Sequence, residues 1–366
     1  MPAAEPFAQL STLSGGILLE AAAMGLGFVA LLFLGSALLP GRRIAGVDAA
    51  GKQRVYKFNG LVLFLTVVIA AGLVQAVGWF SLSVLHTHFV ALFIVANGFA
   101  FALAGWLFFQ GARARKPSST SWRDFFMGVD AAPTWLGQDL KLFSYCPSLI
   151  GLALLNASFA AAQYETSGGL TLGMVLYQVF TFLYVLNYFQ FEHGMIHTWD
   201  IVSERFGWNL VWGDYVLVPF FYCLPGWWLV YAPESLSPAA SAAIVLLFVF
   251  GFWLFRGSNQ QKHDFKRDPD IMIWGRRAQT LDGRLLISGF WGIGRHLNYT
   301  GEICIYFAFA LTTGLASLGP YLLPAWLTGL LWHRSRRDER RCRAKYGELW
   351  ERYKQRARFS MLPFIH

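Results

Sequence analysis

Charge is scarce in this chain: only 14% of its 366 residues are Asp, Glu, Lys or Arg, against roughly 25% in a soluble domain. That shortage excludes an ordinary soluble protein, because too little polar surface is available to face water. Cysteine is also sparse. Cys146, Cys223, Cys304 and Cys342 stand far apart with no C-x-x-C pair, which excludes a disulfide framework and a cysteine zinc site. No G-x-G-x-x-G turn follows a strand pattern; the "GIG" at 292–294 is too short to form a Rossmann phosphate turn. Residues 1–14 lack a basic leader region and the first apolar run is long enough to span, so no cleavable signal peptide is expected. No KDEL-type tail, fixed-period repeat or low-complexity tract occurs. Acidic residues are outnumbered, 21 to 30 by Lys and Arg. The basic residues lie between apolar segments rather than on a soluble module, which argues against nucleic acid as the partner.

What is present is apolar and aromatic: 55% hydrophobic residues and 17% Phe, Trp and Tyr. Runs near 17–40, 59–80, 89–110, 147–163, 170–190, 214–232, 239–256, 302–317 and 321–333 suit membrane spans, with a further short piece at 285–294. The expected fold is all-α and polytopic, with about nine to ten transmembrane helices. Arg42, Arg43, Lys52, Arg54 and Lys57 fill one loop, while "SLSVLHTH" has no Lys or Arg. Arg113, Arg115, Lys116, Arg123 and Lys141 load the next basic segment, and "YETSGG" has none. A third basic run follows residue 256, and "ASLGPY" has none. This alternation predicts cytoplasmic basic loops and a cytoplasmic C-terminal tail. The polar load rises after residue 190, dividing the chain into N-terminal helices over 1–190 and a site-bearing half over 191–366.

The densest polar stretch is "WGIGRHLNYTGE", residues 291–302, directly before the apolar "CIYFAFAL". As one helix, Arg295, Asn298, Tyr299 and Glu302 share a face at i, i+3, i+4 and i+7. A girdle of snorkelling residues would explain Arg and Tyr. Glu302 favours a functional cavity, since an acid beside a bilayer-entering run is costly. In "FEHGMIHTWD", His193, His197 and Asp200 fall at i, i+4 and i+7 after Glu192. The eight histidines include no second cluster, so a polar pocket is preferred and no metal is expected. Lys262 and Lys266 are i, i+4 neighbours in "SNQQKHDFKRDPDIMIWGRR". The tail from His333 reads as amphipathic, with Leu349, Trp350 and Tyr353 on one edge and Arg337, Arg341 and Lys345 on another.

These segments together resemble the integral-membrane sterol reductases, the family of C14 and C7 sterol reductases and the lamin B receptor. The phrases "GVDAAGKQRVYKFNGL", "LLNASFAAAQ", "FGWNLVWGDYVLVPFFY", "NQQKHDFKR…IWGRR", "LLISGFWGIGRHLNYTGE" and "HRSRRDERRCRAKYGELWERY" carry the resemblance. "FGWNLVWGD", "SGFWG" and "WERY" look most like the 7-dehydrocholesterol reductase branch. The resemblance implies NADPH as cofactor, held by Lys262, Lys266, Leu286, Trp291, Asn298 and Tyr299. In the tail it implies Asp338, Cys342, Arg343, Ala344, Lys345, Tyr346 and Tyr353. It also implies a sterol or sterol-like lipid substrate, with a membrane setting in the endoplasmic reticulum of a eukaryote or the inner membrane of a bacterium. No obligate protein partner is inferred. Lys266 stands where the family usually has Arg, and Glu302 where it has Asp.

Reduction of an isolated ring C=C bond needs a proton before hydride, because the alkene is electron-rich. Glu302 is the expected proton source, directly or through Tyr299, with Glu192 as second candidate; burial would keep such a carboxyl protonated. Two other classes compete: a membrane methyltransferase of the isoprenylcysteine type using S-adenosylmethionine, and a sterol-binding membrane protein without catalysis.

Overall fold

The computed structural model describes residues 5–114, 122–231 and 235–361; Arg115 and Lys116 of the second basic segment lie outside the described residues. Packing divides the chain into two units, Met1–Pro233 and Glu234–His366.

In the first unit the long helices are α1 (Gly15–Leu38), α2 (Gly60–Ala76), α3 (Phe89–Ala114), α4 (Leu140–Ser167) and α5 (Leu172–Gln190). α1 leaves Leu19, Leu31 and Leu38 exposed by 72%, 60% and 83%. That much bare leucine is tolerable only against lipid. Between α1 and α2 an antiparallel hairpin forms, β1 (Arg42–Val47) with β2 (Gln53–Phe58), in register Arg42↔Phe58 through Val47↔Gln53. Asp48 sets its turn, accepting from Ala50 N at 2.9 Å, Lys52 N at 3.0 Å and Arg54 Nε at 2.9 Å. A smaller hairpin, β3 (Thr134–Trp135) with β4 (Gln138–Asp139), leads into α4, where the Asp139 carboxylate accepts from Leu142 N.

The segment expected to span 214–232 is helical but broken. Trp208–Trp212 passes into a π-helix over Gly213–Phe221, with Pro219 inside it, and then α6 (Leu224–Tyr231). Proline cannot donate to the ladder, and π geometry is one way a helix absorbs that loss.

The second unit is built on α7 (Pro238–Arg267), α8 (Leu297–Leu311), α9 (Leu322–Tyr346) and α10 (Glu348–Arg356). Between α7 and α8 lie two short hairpins, β5 (Met272–Ile273) with β6 (Arg276–Arg277) and β7 (Thr280–Leu281) with β8 (Leu285–Leu286). The piece at 285–294, offered as a short membrane element, is instead β8 followed by one helical turn, Phe290–Ile293. α7 and α8 touch backbone to backbone at Gly251 and Gly301. A Cβ on Gly301 would come within 2.6 Å of Gly251 O, and one on Gly251 within 2.8 Å of Cys304 Cβ.

Among the described residues five helices, α1, α3, α4, α5 and α7, are long and apolar enough to cross a membrane, and α2 is a shorter apolar helix. The chain is a mostly helical, multi-pass membrane protein. The nine longer apolar runs read from sequence fall mainly on helical backbone, although 59–80 and 302–317 outrun their helices, which end at Ala76 and Leu311, and residue 232 lies outside the described residues.

Candidate active site

The second unit gathers most of the polar residues singled out from sequence. α7 continues past its apolar part to Arg267, so Asn259, Lys262 and Lys266 share one face at i, i+3 and i+7. Asn298 Nδ2, in the first turn of α8, donates to Asn259 Oδ1 at 3.3 Å. Trp291 is fixed from both sides: its Nε1 donates to Ser258 O at 2.8 Å, and its carbonyl accepts from Tyr353 Oη at 2.9 Å. The Lys262 ammonium sits 4.5 Å above the Trp291 ring. Lys266 feels the charges of Lys262, Lys345 and Asp338, which places the end of α7 beside the matching face of α9. Lys262, Lys345 and Asp338 thus lie within electrostatic range of Lys266. Lys262, Lys266 and Lys345 are exposed, so the cluster opens to solvent.

Asn298 Oδ1 is buried and has no hydrogen-bond partner among the described residues. An unmatched buried carbonyl costs free energy and is suited to accept from a ligand amide. Tyr299 stacks on His296, rings 5.2 Å apart and 9° from parallel. Glu302 lies one turn after Asn298, half-buried at the start of the apolar part of α8.

The remaining tail residues divide. Cys342 and Tyr346 pack on Trp350, Tyr353 and Ala357. Tyr346 receives two cations over its ring, Arg284 at 5.2 Å and Lys345 at 5.1 Å. Burial holds the Tyr353 phenol above its usual range, so it acts as a hydrogen-bond donor. Leu286 is core, packed with Phe265, Ile273 and Trp291. Ala344 is exposed. Arg343 points away from Asp338, Cys342 and Lys345, by 100° steps around the helix, and pairs with Glu351 at 2.8 Å.

Arg295 does not lie on the helical stripe expected of it. α8 begins at Leu297, and the two residues before it are held by the C-terminal strap: Arg295 N donates to Phe359 O at 3.0 Å and His296 N to Ser360 O at 2.8 Å. The Thr300 hydroxyl donates to Met361 O. Arg295 is 8% exposed; its guanidinium donates to Ala357 O at 2.7 Å and Arg358 O at 3.0 Å, and meets Glu339 at 2.7 Å. It is a structural clamp rather than a snorkelling residue. Asn298, Tyr299 and Glu302 keep their shared stripe. The tail is likewise two helices rather than one, turning at Gly347, whose φ of 55° suits glycine.

In the first unit, the i, i+4, i+7 face proposed for His193, His197 and Asp200 does not form. Glu192–His197 is a 3-10 helix, Thr198 is extended, and a new turn starts at Trp199. Glu192 reaches back across the chain: its Oε2 accepts from Gly60 N, the first amide of α2, at 2.9 Å. A Cβ on Gly60 would strike Glu192 Oε2 and the Phe189 ring, so only glycine allows that approach. Burial pushes the Glu192 carboxyl up to about 7, against the lowering effect of the Gly60 and Leu61 amides.

Lys141, read from sequence as a loop cation, is 1% exposed and donates to the carbonyls of Asp200, Ile201 and Glu204 at 2.9, 3.1 and 2.9 Å. Tyr145 Oη donates to Asp200 Oδ2 at 3.2 Å. No spacing rule links Lys141 with Asp200; only the fold brings them together. An apolar cavity of about 150 Å³, walled by Phe28, Leu92, Phe99, Leu155 and Pro219 with Tyr215 at its edge, also lies in this unit.

A mostly helical, multi-pass protein that carries lysines at the end of the apolar helix α7 and on the basic helix α9 is a membrane protein with a polar site, and the comparisons give its class. Residues 10–366 match the ergosterol biosynthesis ERG4/ERG24 family. The chain is 39% identical over 354 residues to the Delta(14)-sterol reductase of Methylotuvimicrobium alcaliphilum, covering 93% of this chain and 83% of that protein. It is 37% identical over 350 residues to the Delta(14)-sterol reductase of Arabidopsis thaliana, covering 93% and 94%. It is 36% identical over 338 residues to the 7-dehydrocholesterol reductase of Xenopus laevis, covering 86% and 71%. The chain belongs to the ERG4/ERG24 family, the sterol reductase family its motifs resemble, and it is an oxidoreductase.

Proposed function

We propose that this enzyme reduces a ring C=C bond of a sterol or sterol-like lipid, of the Δ14 or Δ7 type, with NADPH as electron donor. The observation that carries the reading is the unmatched, buried Asn298 Oδ1, tied through Asn259 to the turn of α7 that precedes Lys262, with Lys266 within electrostatic range of Lys262, Lys345 and Asp338. The residues fit such a dinucleotide. Lysines on two helices suit its phosphates, Asp338 suits a ribose hydroxyl, and Asn298 Oδ1 suits a carboxamide N–H. Trp291, braced by Tyr353 and Ser258, offers a flat wall, and Tyr299 and the face of α9 bearing Cys342 and Lys345 complete the cradle; Leu286, Ala344 and Tyr346 support it, whereas Arg343, turned away from it, holds α10 through Glu351.

When bound, the reduced nicotinamide supplies hydride. The protein's own task is to protonate the alkene and keep water from the cation that results. Glu302 does this, directly or by relay through Tyr299. It stands one turn from Asn298 on the same stripe of α8, where the helix turns apolar. A positioned acid of this kind contributes about 10² to 10⁴ in rate. Glu192, whose carboxyl is pushed up to about 7, is the second candidate donor.

The functional division we adopt sets N-terminal helices, 1–190, apart from a site-bearing half, 191–366. Nine to ten crossings, with basic loops and tail in the cytoplasm, complete the proposal. Family membership supports reduction over the methyltransferase reading. Purified protein incubated with NADPH and a panel of Δ7, Δ14 and Δ24 sterols, analysed by mass spectrometry, tests the proposal. A product heavier by two hydrogens from a Δ14 or Δ7 substrate supports it. NADPH binding without any reduced sterol favours the non-catalytic sterol binder, and turnover with S-adenosylmethionine instead would overturn it.

A further inference from the structure

We propose that the face of α9 turned away from the NADPH cradle holds the phosphate of an anionic phospholipid. Arg336, Arg340 and Arg343 fall on one side of α9 at i, i+4 and i+7, opposite Asp338, Cys342 and Lys345. With Glu339 and Trp350 they enclose a cavity of about 200 Å³. Trp350 forms a buried floor at 5% exposure, because α10 folds back at Gly347. The two remaining charges are spoken for: Glu339 is paired with Arg295 at 2.7 Å and Arg343 with Glu351 at 2.8 Å. The Arg336 guanidinium lies flat on Trp332, 3.8 Å from the ring centre, and its edge remains available. No ion pair of Arg340 occurs among the described residues. The cavity thus carries two uncommitted guanidiniums, the group best matched to phosphate oxygens.

Position selects the ligand's source. The preceding turns of α9 expose Leu322 by 68%, Trp326 by 42%, Leu330 by 41% and Trp332 by 44%, an apolar flank ending in tryptophan, as at a membrane interface. Arg336 is one turn beyond Trp332, about 6 Å along the axis at 1.5 Å per residue, and Arg340 one further turn on. That is the depth of lipid headgroups, where basic pockets bind anionic lipids. This inference is independent of NADPH, since none of its chemistry uses the opposite face.

The test measures the thermal unfolding midpoint of the full chain in detergent with dihexanoyl phosphatidic acid, dihexanoyl phosphatidylcholine or inorganic phosphate at equal concentrations. Phosphatidic acid is expected to raise the midpoint by several degrees, through binding to the folded state alone, and the other two by much less. Arg336→Gln with Arg340→Gln removes the shift, while Arg276→Gln, on the β5–β6 hairpin, keeps it. If the double variant does not fold, the single exposed change Arg340→Gln serves, with at least half of the shift lost. NADPH affinity of the folded variants stays as in the parent protein. An equal shift by inorganic phosphate, an equal response of the variants, or no shift at all overturns the proposal.

Discussion

Arg295 and Glu339 form an ion pair 2.7 Å apart that ties the entry to α8 to the middle of α9. The arginine is almost fully buried and also satisfies two carbonyls of the C-terminal strap. One side chain therefore joins three segments that are far apart in sequence. Removing one partner of such a pair strands the other, at a cost of about 3–5 kcal/mol. Arg295→Ala is expected to lower the thermal midpoint by many degrees. Glu339→Gln costs less, because the carbonyls of Ala357 and Arg358 still hold the guanidinium. Comparison of the two melting curves checks the order.

The contact of Gly251 with Gly301 leaves no room for a methyl group. Gly301→Ala is expected to destabilise the second unit by about 1–3 kcal/mol through overpacking. It also moves the neighbouring Glu302. Turnover should therefore fall further than the loss of folded protein explains, as activity per folded molecule will show.

Glu192 links folding to pH. Its carboxyl titrates near about 7 in the folded chain, raised by burial from a usual value of 4.5. The folded state then binds more protons than the unfolded state between those two values. The contribution of this carboxyl to stability is fully present below about 4.5 and is lost as pH rises through about 7, since the slope follows the proton difference. Glu192→Gln should flatten that part of the stability profile. A profile identical to the parent's over pH 5–8 would contradict the assignment.

Lys262 and Lys266 are expected to select NADPH over NADH. Loss of one charged phosphate contact costs roughly 1.5–3 kcal/mol, or about 10- to 100-fold in affinity. Lys262→Ala should weaken NADPH by that factor and NADH far less. Titration of the two dinucleotides against parent and variant reads the difference directly.

The membrane class was legible because hydrophobic runs of span length are a local property, and the longer ones lie mainly on helix. The Lys262–Lys266 pair was legible for the same reason, since i, i+4 spacing survives wherever α7 continues. Arg295 was misplaced by that same rule. The helix starts two residues later, because the backbone of Arg295 and His296 pairs with Phe359 and Ser360, a partnership more than 60 residues away that no periodicity reveals. The His193, His197, Asp200 face failed where the backbone turns extended at Thr198. Lys141 looked like a loop charge because only the fold supplies its three carbonyl acceptors. The basic loop bearing Arg42 to Lys57 is the hairpin β1–β2, whose turn chemistry is Asp48 and Gly51.

The central claim is that α8 brings a carboxylic acid and a held dinucleotide to one olefin. Glu302→Gln, assayed with NADPH deuterated at its transferable position, tests it most directly. The parent protein should place one deuterium in each reduced sterol. The variant should give no deuterated sterol while binding NADPH with nearly unchanged affinity. Parent-level deuterium transfer by the variant would remove Glu302 from the reaction, and unlabelled product from the parent would contradict NADPH as the hydride source.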